Sequence, residues 1–261
     1  MPIGVFDSGV GGLTVLDECL AAMPREDFIY FGDTAWFPYG ERSPDALRER
    51  AGAIAAWLTG QGVKLVVVAC NTAAAAALDS LQRSLAVPVL GVMGPEAHAA
   101  VQATRNRRVG LLATAATVTS GSYERMIHAH DAGVQVTSVA CPDLAPAIQR
   151  GDAIDDVFVQ MVRDYTAPLL AAGVDTCILG CTHYPLVERL IRRCLPEVEI
   201  VMSGEELVRE VHGSLARKGM LDETGDEGVY RFACSGDPDD FRSVGGRFLQ
   251  MPLGDVQRLE L

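Results

Sequence analysis

The sequence is short of positive charge. Its 261 residues carry 22 Lys and Arg against 34 Asp and Glu, a formal net charge of −12. A nucleic-acid binder needs a basic face to neutralise phosphates, and an anionic membrane surface makes the same demand, so neither partner is expected. No uninterrupted apolar run approaches the roughly 20 residues of a spanning helix. The start, MPIGVFDSG, lacks a charged segment followed by an apolar stretch. No signal peptide is read there, and a cytoplasmic location is expected.

Ordered cysteine spacing is also missing. The seven cysteines are Cys19, Cys70, Cys141, Cys177, Cys181, Cys194 and Cys234, with no C-x-x-C and no Cys/His ladder. That argues against a disulfide framework and against a structural zinc site, and no metal is expected. In a reducing compartment a thiol either packs or does chemistry. Cys177 lies inside an apolar run and Cys19 on an apolar helix face, so both read as packing, as do Cys141, Cys194 and Cys234.

What the chain has is core-forming material: 49% of its residues are apolar and 21% charged. Ile3–Phe6, Phe28–Phe31, Leu65–Ala69, Val89–Val92, Val109–Ala113, Val134–Val139 and Thr176–Gly180 read as strands. Several are apolar without alternation, as strands covered on both faces are. Helical stretches lie between them. Leu13, Leu16, Leu20 and Met23 share one side of Gly12–Met23. Ser43-Pro44-Asp45 opens a helix with a capping serine, a proline at the first position and an early acid. The Ala-rich run Thr72–Ser84 is helical by propensity. The alternation predicts an α/β fold with mainly parallel sheets and leaves strand order open. A loop is expected over Asp222–Gly228, then an edge hairpin or two edge strands from Gly228–Ser235 and Val256–Leu261.

The chain reads as two halves. VKLVVVACNT (Val63–Thr72) resembles VDTCILGCTH (Val174–His183): an apolar strand, a cysteine, a polar pair, then a helix. Two related α/β units are expected, each presenting a thiol at a strand end. Ligands of open α/β sheets bind beyond the carboxyl ends of strands. Three segments fit that place: Asp7–Gly12, Cys70–Thr72 and Cys181–His183. The glycines of Asp7-Ser8-Gly9-Val10-Gly11-Gly12 allow positive-φ turns and free N–H groups for an anion. Their spacing is not the dinucleotide fingerprint and no Walker lysine follows, so a nucleotide has little support. A small carboxylate or phosphate and a purely structural turn remain open.

Cys70 and Cys181 occupy matching places where a strand hands over to a helix and a thiol pKa can fall. Asn71, Thr72 and Thr182 offer donors and caps there. Two thiols across a cleft suit inversion at a carbon bearing hydrogen, where one face loses a proton and the other gains one. His183 is a candidate to stabilise a thiolate or orient substrate, or else a capping histidine. Asp7 is a candidate to hold an ammonium or tune Cys70, or else a helix cap. His98, His128, His130 and His212 have no partner that the sequence names.

At these residues the chain resembles the glutamate racemases of the wider aspartate/glutamate racemase group. The matching segments are IGVFDSGVGGLTV (3–15), YFGDTAWFPYGERS (30–43), ACNTA (69–73), GCTHYPL (180–186) and SGDPDDF (235–241). The resemblance implies two pseudo-symmetric α/β domains, 1–93 plus 208–261 and 94–207, with the active site between them. It implies L-/D-glutamate interconversion without a cofactor, a peptidoglycan role for the product, and a homodimer. Cys70 and Cys181 would be the acid/base pair, the first acting on D-glutamate and the second on L-glutamate. Asp7, Ser8, Tyr39, Gly40, Asn71, Thr72, Thr182 and His183 would contact substrate. Racemisation of aspartate or another acidic amino acid, and a binding protein that has lost efficient catalysis, are the alternatives.

The chain also departs from the pattern. Gln149 stands where the family usually carries a glutamate, and an amide cannot carry charge or a proton. Trp36-Phe37, Met202-Ser203 and Gly94-Pro95 replace pairs that are often basic–aliphatic, Asp-Ser and Glu-Pro.

Overall fold

Each of the seven apolar runs forms a strand, and three further strands join them. In the computed structural model, which describes residues 1–222 and 226–261, the strands are β1 (Ile3–Asp7), β2 (Phe28–Gly32), β3 (Leu65–Val68), β4 (Val89–Gly91), β5 (Arg108–Ala113), β6 (Gln135–Ala140), β7 (Thr176–Gly180), β8 (Glu199–Val201), β9 (Tyr230–Cys234) and β10 (Val256–Arg258). The helices are α1 (Leu13–Ala22), α2 (Pro44–Gly60), α3 (Asn71–Ser84), α4 (Met93–Ala103), α5 (Ala115–Ser120), α6 (Ser122–His130), α7 (Leu144–Arg150), α8 (Asp156–Ala172), α9 (Glu188–Cys194), α10 (Glu205–Arg217) and α11 (Pro238–Leu249). All strand pairings among the described residues are parallel.

Two sheets result, ordered β10-β9-β2-β1-β3-β4 and β6-β5-β7-β8. The four strands at one end of the first, β2-β1-β3-β4, repeat the order of the second, with β1, β2, β3 and β4 in the places of β5, β6, β7 and β8. The expected α/β fold of two pseudo-symmetric units with parallel sheets is therefore present. Every residue of β1, β2, β3 and β7 is buried, which accounts for their unbroken apolar sequence. The edge strand β6 has no buried residue and carries the alternating sequence QVTSVA.

Local signals set the helix ends. The Ser43 hydroxyl accepts from the Ala46 N–H, with Pro44 in the first turn of α2. The C-terminal expectation needs correction. β10 is an edge strand as expected, but β9 is interior, paired with β2 and β10, and β10 lies parallel to it across α11, so there is no hairpin. Of the expected loop, Asp222 and 226–228 are irregular, and residues 223–225 lie outside the described residues. Cys19, Cys141, Cys177 and Cys234 are buried as expected, whereas Cys194 is only partly so.

Close packing under β2 holds the first loop of the site in place. The buried Tyr30 hydroxyl donates to the Gly9 carbonyl at 2.9 Å. Gly32, at the end of β2, leaves no room for a side chain: a Cβ there would overlap the Phe241 ring and come within 2.6 Å of the Gly9 carbonyl oxygen. Gly32→Ala should therefore destabilise by about 1–3 kcal/mol, the usual cost of overpacking a core. Urea unfolding measures it, and an unchanged midpoint would show that the Gly9 loop yields freely.

Candidate active site

The site forms where the carboxyl ends of both sheets face one another. β1, β3, β5 and β7 end in Asp7, Val68, Ala113 and Gly180, and the residues that follow them converge. Between them lies a cavity of roughly 540 Å³, counting its mouth, lined by Ser8, Tyr39, Gly40, Cys70, Asn71, Thr72, Cys181, Thr182 and His183 among others. Nine of the ten residues singled out from sequence reach this wall. Asp7 stands immediately behind it, fully buried.

The two thiols occupy equivalent places after β3 and β7. Cys70 caps α3, its sulfur accepting from the Ala73 N–H at 3.4 Å and lying 3.5 Å from the Ser8 hydroxyl. Cys181 is followed by a short 3-10 turn, Tyr184–Val187, rather than by a regular helix. The sequence predicts thiol pKa values lowered by helix starts, and the structure reverses that direction. Burial pushes Cys70 up to about 11, with the Asp7 charge adding to it and the Ala73 N–H opposing it. Burial also raises Cys181 well above its ordinary value. The His183 N–H opposes that rise, while the charges of Cys70 and Asp7 add to it. The two sulfurs are thus within electrostatic reach of one another across one cavity.

His183 is neutral. Its ring is held between Phe37 and Phe248, each with a centroid 5.3 Å away, and burial lowers its pKa to about 3. The Nε2 atom is 2.9 Å from the Gln149 amide oxygen, and Nδ1 lies 3.9 Å from the Cys181 sulfur. With Nε2–H donating to Gln149, Nδ1 turns a lone pair towards the thiol. Gln149 therefore stands behind the imidazole and does not line the cavity.

The glycine segment acts through its smallness. Gly9, Gly11 and Gly12 are absent from the positive-φ residues, so the left-handed turns expected there do not occur. A Cβ on Gly11 would instead collide with His183 and Thr182. This close approach brings the two halves together, and the Asp7 carboxylate bonds across it, accepting from the Gly9 N–H at 2.8 Å and the Thr182 hydroxyl at 3.1 Å. Burial raises the Asp7 pKa, against the pull of these donors. Of the readings left open for this segment, a structural turn describes the glycines, and only Ser8 of the segment reaches the wall.

A hydroxyl cluster makes the second crossing. Thr72 lies 2.9 Å from Thr114 and 3.2 Å from Thr117, joining the start of α3 to that of α5. Tyr39 is held by its hydroxyl, which donates to Asp33 at 2.5 Å, and Asp33 in turn takes two bonds from Arg50. Sequence reasoning passes over Thr114 and Ala115 on the cavity wall, although they follow β5 just as Ser8 follows β1. It also passes over Glu96 of α4, a buried carboxyl raised by burial to about 7 and bonded by Ser203, Tyr123 and Asn71. No group of three or more His, Cys, Asp or Glu side chains suited to a metal occurs among the described residues.

Residues 3–211 match the family described as Asp/Glu/Hydantoin racemase. The chain is 45% identical over 260 residues to a glutamate racemase of Geobacter metallireducens, covering 99% of this chain and 96% of the relative. Its structure superposes on glutamate racemase isoform RacE1 from Bacillus anthracis with a TM-score of 0.94 at 38% identity, covering 100% of this chain and 97% of that one. The glutamate racemase of Francisella tularensis in complex with D-glutamate gives 0.93 at 33% identity, with coverage of 99% and 97%. Likeness at this level over the whole chain shows that this protein belongs to the Asp/Glu/hydantoin racemase family, among its glutamate racemases.

Proposed function

We propose that this protein interconverts L- and D-glutamate by proton transfer between two thiols. The observation that carries the reading is that Cys70 and Cys181, at equivalent strand ends of two like-ordered sheets, line one small cavity. One sulfur, as thiolate, takes the α-proton. The electron pair spreads into the α-carboxylate, held by hydroxyl and N–H donors of the wall, and the opposite thiol returns a proton to the other face. The first sulfur ends protonated and the second ionised. No electron acceptor is required. A neutral His183 with its Nδ1 lone pair towards Cys181 fits a role in orienting the protonated thiol towards substrate.

The resemblance supports the rest: D-glutamate destined for peptidoglycan, a homodimer, and domains comprising 1–93 plus 208–261 and 94–207. The division follows sheet membership, with β5–β8 in the middle segment. Free thiols at all seven cysteines fit a reducing cytoplasm. No helix among the described residues is long and apolar enough to cross a membrane.

Incubation with L-glutamate or L-aspartate in deuterated water, followed by chiral analysis and mass measurement, tests the reading. Glutamate should racemise with deuterium at Cα. Cys70→Ala and Cys181→Ala should each lower turnover by at least about 10²–10⁴-fold, the range for losing a general base. Near-normal turnover in either variant would reject the two-thiol scheme, and faster turnover of aspartate would reject the substrate.

Burial of the thiols sets a pH dependence. From about pH 7.5 to about pH 9 His183 is neutral, so thiol ionisation is the titration that matters, and kcat/KM should rise towards tenfold per pH unit. A plateau already reached at neutral pH would mean that the empty-cavity thiol is ionised there.

Gln149→Glu would place an accept-only carboxylate against His183 Nε2–H and favour the imidazolium beside Cys181. The rate from L-glutamate should rise by a few-fold to about tenfold, as one pKa unit of stabilisation would give. Circular dichroism in both directions reads this, and unchanged or lower rates both ways would show a site adapted to the amide.

A further inference from the structure

Glu96 has no part in the scheme above, yet it is a buried carboxylate with three side-chain donors next to the cavity. It is 1% exposed and sits in the first turn of α4, where the chain passes from the first sheet towards the second. Its Oε2 accepts from the Asn71 amide at 3.0 Å and from the Tyr123 hydroxyl, and its Oε1 accepts from the Ser203 hydroxyl. The same Asn71 amide nitrogen also donates to the Tyr123 oxygen at 2.7 Å. Both amide hydrogens of Asn71 are thereby spent.

The orientation of an asparagine amide is decided by its neighbours. Here Oε2 of Glu96 accepts, from the Tyr123 hydroxyl as well as from Asn71. The Tyr123 hydrogen is committed to that carboxylate, so the Tyr123 oxygen also presents a lone pair to Asn71. Two acceptors face the amide, and only its NH2 end can turn towards them. The carbonyl oxygen, Oδ1, is left on the other side, buried and without a hydrogen-bond partner. Asn71 is the residue after Cys70 and lines the cavity. A buried acceptor left unpaired is unfavourable unless a donor arrives.

We propose that Glu96 is a positioning residue for substrate: through Asn71 it holds an unpaired amide oxygen ready to accept from the α-ammonium of a bound amino acid. The inference rests on the amino-acid racemase reading above and concerns how that substrate is held. Without the carboxylate, the Asn71 amide is free to turn over and present NH2 to a cation, which repels it. Tyr123 and Ser203 come from the second half and Asn71 from the first, so the same cluster ties the wall position to the joint between the halves.

The test compares Glu96→Gln with the wild type on L-glutamate, and uses glutarate, which keeps both carboxylates and lacks the amino group, as a competitive inhibitor. Glu96→Gln preserves the volume but puts an NH2 group where donors already point. The KM for L-glutamate should rise about 10- to 100-fold, the loss of one hydrogen bond to a charged group, while the inhibition constant of glutarate changes less than about twofold. Tyr123→Phe, which removes one of the two acceptors facing Asn71, should shift KM the same way by less, and it keeps the test open should Glu96→Gln not fold. An unchanged KM in both variants, or KM and glutarate inhibition worsening together, overturns the inference. If glutarate fails to inhibit the wild type, a KM rise in either variant at an unchanged melting temperature supports the inference and an unchanged KM overturns it. A wild type that does not racemise glutamate overturns the functional reading itself, a result separable from the others.

Discussion

Strands of a parallel sheet all finish on the same edge, so two such sheets can share one cavity only by turning those edges towards each other. The rest of this structure depends on that constraint. With β1 and β3 central in one sheet and β5 and β7 central in the other, the groups that follow them, Ser8, Cys70, Thr114 and Cys181, meet around one space. Closeness at the joint is set by the absence of a side chain at Gly11 and is locked by hydrogen bonds from Thr182 to Asp7 and between Thr72 and Thr114. Each half supplies one thiol because each half supplies the same strand.

Burial then governs the chemistry. It raises both thiols and Asp7, and it holds His183 neutral. Among the described residues no Lys or Arg lines the cavity, so an acidic substrate would be held by hydroxyls and backbone N–H groups, whose dipoles are strong where water is excluded. The cations lie outside: Arg42, Arg48 and Arg125 line an adjoining hollow that shares Gly40, Glu41, Thr72 and Ala115 with the cavity. An ammonium entering beside a buried thiol favours the thiolate, so substrate binding and thiol activation are coupled on the proposed mechanism. The Glu96–Asn71 pair concerns that same ammonium.

Legibility differs by the range over which each feature is determined. The seven strands and the start of α2 follow from neighbours in the chain, and they form where the residues indicate. Cys70 and Cys181 stand out because two strand–cysteine–polar segments repeat, and both thiols reach the cavity. Glu96 does not stand out, because its partners Asn71, Tyr123 and Ser203 are scattered along the chain and nothing local marks a buried glutamate on an amphipathic helix. Thr114 was within reach of the strand-end rule, since it follows an apolar run just as Ser8 does. The glycines of residues 9–12 mislead about mechanism: their composition points to backbone handedness, whereas the structure uses the space a missing Cβ leaves.

The sequence by itself determined the α/β class, the parallel character of the sheets and the two matching thiols, because periodicity, propensity and repeats act over a few residues. Only the tertiary structure decided that β9 is an interior strand, that Asp7 stands behind the wall, that His183 is neutral and backed by Gln149, and that both thiols are raised. Those outcomes depend on which distant surfaces exclude water from which groups, and desolvation is a property of the assembled interior.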